Sequence, residues 1–256
     1  MRIRVLGALL ICAFLATGSS VMTVTNGQPD GNGHPYVGIV FQPIPGTEFA
    51  SICSGSALST TRFLTAAHCA DPSRPVFVSY KSGPPFGGTF TAGTFHPNPD
   101  WCIGCGPGLP GFDTHDVAVV KLAVPANPGA FVMLPSPGLV DTLAMKTSVD
   151  IVGYGVQGFE RGGGPPSAIF TATRFFAPSQ LIQSNMVTSV EFIKLTANPS
   201  QGTGGVCFGD SGGPDVLSGT DIVLAVNSYV TNRNCAGVTY SNRVDLPDIL
   251  RFINGI

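Results

Sequence analysis

The segment Gly209-Asp210-Ser211-Gly212-Gly213-Pro214 constrains this chain more than any other stretch. A serine flanked by glycines and preceded by an aspartate is typical of a nucleophile on a tight, exposed turn, because glycine lets the backbone turn sharply and lets a substrate carbonyl approach the main chain. The N–H groups of Gly209 and Ser211 are candidates for stabilising a developing oxyanion. The segment therefore predicts a reactive serine that needs a base and a carboxylate from elsewhere.

The search for the base is short because the chain has only four histidines. His34 and His96 each precede a proline in stretches rich in Gly, Pro and Asn, which favours surface loops. His115 directly precedes an aspartate. His68 ends a run of small residues, Leu64-Thr65-Ala66-Ala67, and is followed by a cysteine. That setting predicts an imidazole held rigidly at the end of a buried strand, so His68 is the candidate base.

The third member of such a site should be a buried carboxylate near apolar strand residues. Asp116 fits, because it heads the run Val117-Ala118-Val119-Val120, which is typical of a core strand. Asp113 is the rival, but it follows a loop rich in Gly and Pro and no apolar run comes directly after it. We therefore prefer Asp116.

In composition and order, these three motifs resemble those of the trypsin-like serine endopeptidases of the chymotrypsin fold. The resemblance extends from about residue 24 to the C-terminus. It implies an all-β fold, with two antiparallel six-stranded β-barrels, an active site between them and a C-terminal α-helix. It also implies that Ser211 is the nucleophile, that His68 is the general base and acid, that Asp116 orients His68, and that no cofactor or metal is needed.

The N-terminus predicts export. A basic head, Met1–Arg4, precedes a twelve-residue apolar run and then small polar residues. This is typical of a secretory signal peptide, and the run is too short to span a bilayer, which takes about 20 apolar residues. We expect a signal peptide over residues 1–20, cleaved between 18 and 23, and an extracellular domain over 24–256. Its first barrel should cover about 24–130, its second about 135–245 and its helix about 245–254.

Short β-branched runs between turn residues predict several strands of these barrels. The predicted strands are 37–41, 50–58, 63–65, 76–80 and 117–120 in the first barrel, and 148–155 and 222–226 in the second. Near the C-terminus, apolar residues at 246, 249, 250 and 253 have helical spacing, and Asp245 is the candidate N-cap.

Charged residues make up only 11% of the chain, and its formal net charge is −2. No basic patch indicates nucleic acid, and no polybasic anchor indicates a membrane surface. The expected partner is a protein or peptide substrate, and the expected state is a monomer.

Six cysteines remain after the signal peptide, and an even number in an exported chain favours disulfides. The family resemblance implies the pairs Cys53–Cys69 and Cys207–Cys235, which leaves Cys102 and Cys105 to pair with each other. A C-x-x-C motif can also be a redox pair or half of a zinc site, and that alternative stays open for Cys102 and Cys105.

The resemblance also identifies a specificity pocket. It places Gly205 at the bottom, with Val206 beside it, where a carboxylate would be needed to bind Lys or Arg. Ser228, Tyr229 and Val230 resemble the strand that binds the substrate backbone. A valine at 230 should narrow the entrance, so small or medium apolar side chains are expected before the cleaved bond.

Activation is expected to involve Asp210. In the resembled family, a new N-terminal ammonium inserts beside this aspartate, and Val24 resembles the mature start. Neither Lys nor Arg lies between Arg4 and Val24, so tryptic activation is not expected. A non-tryptic cut after Thr23, or signal removal close to Val24, would expose the amine. The alternative to an enzyme is a catalytically silent homologue that binds protein partners.

Overall fold

A computed structural model describes residues 24–84, 86–105, 113–160, 167–183 and 190–256. The predicted signal peptide and its cleavage region, 18–23, lie outside the described residues. Within the described ranges, no helix combines the length and the apolar character that crossing a membrane requires.

Six antiparallel strands form the first barrel. A short strand, β1 (Gln28–Pro29), precedes them in the chain. The barrel strands are β2 (Val37–Pro43), β3 (Ala50–Ala57), β4 (Arg62–Thr65), β5 (Val76–Ser79), β6 (Thr91–Pro97) and β7 (Ala118–Leu122). Their spatial order is β2-β3-β4-β7-β6-β5. The β-branched runs predict β2, β3, β4, β5 and β7 correctly, because their apolar side chains form the buried barrel core.

Later strands build the second barrel. In chain order they are β8 (Ser148–Gly153), β9 (Gly158–Glu160), β10 (Ser167–Ile169), β11 (Phe175–Gln183), β12 (Phe192–Ala197), β13 (Pro214–Leu217), β14 (Val223–Val230) and β15 (Gly237–Arg243). The barrel follows the spatial order β11-β12-β15-β14-β13-β8, and pairing of β8 with β11 closes it. β1 extends the sheet beside β11, and β9 and β10 form a separate hairpin. The predicted fold of two six-stranded barrels is confirmed.

The predicted C-terminal helix is present as α1 (Pro247–Gly255). Its buried residues Ile249 and Ile253 join an apolar cluster that includes Val37 of the first barrel and Val152 of the second. The predicted cap is wrong, because Leu246 occupies the N-cap position. The Asp245 carboxylate instead accepts hydrogen bonds from the Arg243 side chain and from the backbone N–H of Val140.

One histidine is placed differently from the sequence-based expectation. His96 lies on β6 and pairs with Val119 of β7, although the neighbouring Pro and Asn residues favour a loop. The ladder between β6 and β7 runs through these residues, so long-range pairing outweighs local turn preference here.

A buried arginine, held by an ion pair, connects the two barrels. The Arg174 and Asp30 side chains are fully buried, with Arg174 Nε 2.7 Å from Asp30 Oδ2. Arg174 Nη1 also donates to the backbone oxygens of Val37 and Tyr80 in the first barrel, at 2.9 and 3.1 Å. Because Arg174 directly precedes β11, these bonds link the second barrel to the first.

Candidate active site

Ser211 lies on a turn whose glycines are required by geometry. Gly209 and Gly212 have φ values of +97° and +82°, which L side chains rarely adopt. A Cβ atom on Gly212 would collide with Thr65 Oγ1 and with the carbonyl oxygen of Ser54. The Ser211 turn therefore packs directly against the first barrel, although it connects strands of the second.

Backbone hydrogen bonds hold the Ser211 turn from both sides. The Ser54 N–H donates to the Ser211 oxygen at 2.8 Å, which links the turn to β3. The Gly212 N–H donates to the Asn227 oxygen at 2.8 Å, and the Asn227 N–H donates to the Gly213 oxygen at 2.9 Å, which links the turn to β14. The turn is a fixed part of the interface between the barrels.

His68 and Asp116 are brought together across 48 residues of sequence. His68 lies in a 3-10 turn, Ala67–Cys69, directly after β4, and Asp116 lies just before β7. Pairing of β4 with β7 brings the two segments side by side. His68 Nδ1 donates to Asp116 Oδ2 at 2.6 Å, and the His68 backbone N–H donates to Oδ1 at 2.8 Å. The carboxylate therefore fixes both the tautomer and the orientation of the ring.

The two groups shift each other's pKa. Burial lowers the pKa of His68, but the charge of Asp116 and its hydrogen bond outweigh burial and raise the pKa above 6.5. Burial raises the pKa of Asp116, but the charge of His68 and the hydrogen bonds from His68 and Ser228 outweigh burial and hold this pKa below 3.8. The pair is suited to a proton-accepting imidazole backed by an ionised carboxylate.

The contacts of Ser228 and Asp113 decide which carboxylate serves His68 and what supports it. Ser228, on the predicted substrate strand, donates from its hydroxyl to Asp116 Oδ2 at 2.5 Å, a contact that spacing does not reveal. The rival acid Asp113 accepts a hydrogen bond from the Gly104 N–H at 3.0 Å and acts on His68 only through its charge. Asp116 is therefore the carboxylate that contacts His68.

The candidate oxyanion donors are available for a ligand. Among the described residues, the N–H groups of Gly209 and Ser211 donate to no other protein group. The peptide between Gly209 and Asp210 is held by the first barrel, because the Gly209 carbonyl accepts a hydrogen bond from Ser54 Oγ at 2.9 Å. The same Ser54 hydroxyl accepts a bond from the Tyr154 N–H. These contacts fix the peptide plane before Asp210.

Ser211 and His68 share a cleft of about 250 Å³. Its wall consists of Val206, Cys207, Phe208, Ser228, Tyr229 and Val230. Gly205 is not among the lining residues; it is buried, and a Cβ atom on it would collide with Ala197. Phe208 also lines this cleft and is 53% exposed beside the Ser211 turn. It is not among the cleft residues expected from the sequence, although its position directly before Gly209 could have indicated this.

Asp210 is fully buried in the uncleaved chain. Its carboxylate accepts hydrogen bonds from the N–H groups of Gly155 and Cys207, at 2.8 and 2.9 Å. No Lys, Arg or His among the described residues pairs with it, and burial raises its pKa to about 7. Val24 is buried in the core of the same barrel, but its nitrogen is part of a peptide bond, so no ion pair with Asp210 exists here.

Three disulfides join Cys53 to Cys69, Cys102 to Cys105 and Cys207 to Cys235. The first bond anchors the segment that carries His68, and the third anchors the segment before Ser211. The one described group with metal-ligand spacing is Cys53, His68 and Cys69. Its two cysteines are bonded to each other, so they offer no thiolate ligands.

Comparisons with known proteins agree with this fold. The sequence model of the trypsin family, described as Trypsin, matches residues 26–249. The solved structure of HL collagenase is similar, with a TM-score of 0.66 and 21% identity over 91% of this chain and 99% of that chain. Human heparin binding protein is similar with a TM-score of 0.65 and 17% identity, over 91% and 96% of the two chains. The family match covers both barrels and reaches the first turn of the C-terminal helix, and the chain belongs to the trypsin family.

Proposed function

We propose that this chain is a secreted serine endopeptidase, with a catalytic domain over residues 24–256 that acts as a monomer. The observation that carries the proposal is the pairing of His68 with Asp116 in the cleft that also contains Ser211. The predicted signal peptide and the disulfides favour an extracellular location.

The reaction follows from these groups. Ser211 Oγ attacks the carbonyl carbon of the scissile peptide while His68 takes the hydroxyl proton, and Asp116 stabilises the resulting imidazolium. The carbonyl oxygen becomes negative and is bound by the N–H groups of Gly209 and Ser211. When the C–N bond breaks, His68 returns the proton to the leaving amine. Water, deprotonated by His68, then hydrolyses the acyl-enzyme and releases Ser211.

The wall of the cleft favours small or medium apolar side chains before the cleaved bond. Val206, Phe208 and Val230 present hydrocarbon, and no carboxylate lies among the described lining residues. A buried Lys or Arg side chain would lose its hydration without gaining a partner, so cleavage after these residues should be slow.

Peptide substrates that end in Ala, Val, Leu, Phe or Arg test this preference. We expect the highest kcat/KM among the first three. Val230→Gly should raise kcat/KM for the Phe substrate relative to the Ala substrate, because it removes the side chain expected to narrow the entrance. Fastest turnover of the Arg substrate by the natural chain would contradict the proposed pocket.

We propose that activation requires a free amine at Val24. Asp210 is a buried carboxylate without a cation, and Val24 packs in the core of the same barrel, so an ammonium there could offset the burial of the charge. N-terminal sequencing of the active secreted protein tests this. An active chain that begins well before Val24 would refute the activation step and leave the proposed chemistry intact.

A fluorophosphonate probe tests the chemistry itself, because it labels a serine activated by a base. The chain that begins at Val24 should be labelled, Ser211→Ala should not be, and Ser200→Ala, which changes an exposed serine outside the cleft, should be labelled normally. If no labelling depends on Ser211, the alternative is favoured: a silent homologue that binds partners. A neighbour named for heparin binding makes that a real outcome for this fold.

A further inference from the structure

The residue before Asp116 has an unusual backbone conformation. His115 has φ of +54°, a left-handed value that non-glycine residues seldom adopt. Its carbonyl oxygen accepts a hydrogen bond from the Val117 N–H at 2.7 Å, which closes a three-residue turn with Asp116 at its centre. The direction in which Asp116 points therefore depends on the conformation of His115.

The second barrel holds the backbone of His115. Its N–H donates to Glu191 Oε2 at 3.1 Å, and the ring Nδ1 lies 3.8 Å from the same oxygen. Glu191 directly precedes β12, and its own carbonyl accepts a hydrogen bond from the Arg243 N–H of β15 at 2.7 Å. The backbone of Glu191, whose carboxylate holds His115, is therefore anchored to two strands of the second barrel.

The C-terminal helix holds the ring of His115. Nε2 lies 3.1 Å from Asp248 Oδ2, and because a carboxylate at neutral pH only accepts hydrogen bonds, Nε2–H is the donor. Asp248 lies in the first turn of α1, and the buried Ile249 next to it packs the helix onto both barrels. His115 thus connects the first-barrel loop that carries Asp116 to two other elements.

We propose that His115 is a positioning residue for Asp116, and that its contacts with Glu191 and Asp248 form a brace that aims the Asp116 carboxylate at His68. The reason is the architecture of the cleft, in which His68 and Asp116 come from the first barrel and Ser211 from the second. Relative movement of the barrels would misalign the three groups. The brace opposes such movement at the residue next to Asp116, and the inference rests on the proposed hydrolytic function.

The first test separates rate from binding. Asn tolerates a left-handed φ but does not reach as far as imidazole, so His115→Asn keeps the turn and removes the contact with Asp248. We expect kcat to fall about tenfold to a hundredfold with little change in KM, because the substrate pocket is untouched while the catalytic groups lose alignment. His96→Asn, the same substitution on β6, is the matched control and should leave kcat unchanged.

A second variant guards against failure of the first to fold. Asp248→Ala should lower kcat by a similar factor, and the double variant should be no worse than either single variant, because all remove the same contact. An effect on KM alone, or strictly multiplicative losses in the double variant, would overturn the brace.

The last readout does not depend on turnover. In inactive Ser211→Ala protein, the His68 Nδ1 proton bonded to Asp116 should give a far-downfield proton NMR resonance, and adding His115→Asn should broaden or remove it. If this resonance is unchanged, His115 does not position Asp116, whether or not the chain is a protease. If the resonance responds but the natural chain shows no Ser211-dependent activity, the proposed function fails and the positioning role stands.

Discussion

Asp215 should make the folded protein less stable as the pH rises, and Asp215→Asn should remove that effect. Asp215 lies on β13, is fully buried, and pairs with Ile151 and Ala225 of the apolar core of the second barrel. Neither carboxylate oxygen has a hydrogen-bond partner of good geometry among the described residues. Burial raises the pKa of Asp215 to about 7; the nearby Ser241 hydroxyl opposes this rise, and the charge of Asp210 adds to it.

The sign and the size follow from proton linkage. Between pH 3.8 and about 7 the unfolded chain has released the Asp215 proton while the folded chain still holds it, so the free energy of unfolding falls as the pH rises through this window. At about 1.4 kcal/mol for each pH unit, the full loss is about 4 kcal/mol. This is a large part of the 5–15 kcal/mol that usually stabilises a domain.

Urea unfolding at pH 4, 5, 6, 7 and 8 measures the effect, with Ser211→Ala in both proteins to prevent self-cleavage. Asn has the shape of protonated Asp and does not titrate. The free energy of unfolding of Asp215→Asn, relative to that of the natural protein, should therefore rise by about 4 kcal/mol between pH 4 and pH 8. Asp210 titrates in both proteins, so its contribution to the pH dependence largely cancels when the two are compared. Two stability curves that run parallel over this range would refute the reasoning.

Three further predictions follow from the site and the barrel interface. Arg174→Met should cost about 3–5 kcal/mol in urea unfolding, because it removes the guanidinium from the buried Asp30 carboxylate and leaves His34 as its remaining partner; a loss below about 1 kcal/mol would contradict this. Asp116→Asn should lower kcat about 10⁴-fold, the size known for this change in a triad, with folding unchanged by circular dichroism. The kcat/KM of the natural chain should fall as the pH drops through the pKa of His68, which lies above 6.5, since only the neutral ring accepts a proton; a flat profile down to pH 5 would contradict it.

Much of the site is visible in local sequence because its chemistry requires particular residues in short motifs. The Ser211 turn needs glycine at 209 and 212, and the structure shows why, through positive φ values and the contact with Thr65. The β-branched run after Asp116 predicts β7, and the spacing of apolar residues predicts α1. These features depend on neighbours within a few residues, which a pattern can capture.

Other features depend on partners that are distant in sequence. The ladder between β6 and β7 places His96 in a strand, although prolines nearby indicate a loop. Asp245 is a reasonable helix cap by its neighbours, but in the folded chain its carboxylate accepts hydrogen bonds from the N–H of Val140, 105 residues away, and from the nearby Arg243 side chain. In each case a long-range contact outweighs a local preference.

The sequence by itself determined the three catalytic candidates, the family resemblance and most strands of the first barrel, because each is encoded in a short run of residues. Only the tertiary structure decided which carboxylate meets His68, that Ser228 supports it, and that His115 connects Asp116 to Glu191 and Asp248. The physical reason is that these contacts span 48 to 133 residues of chain. Their energies become available only after two closed barrels bring the segments together.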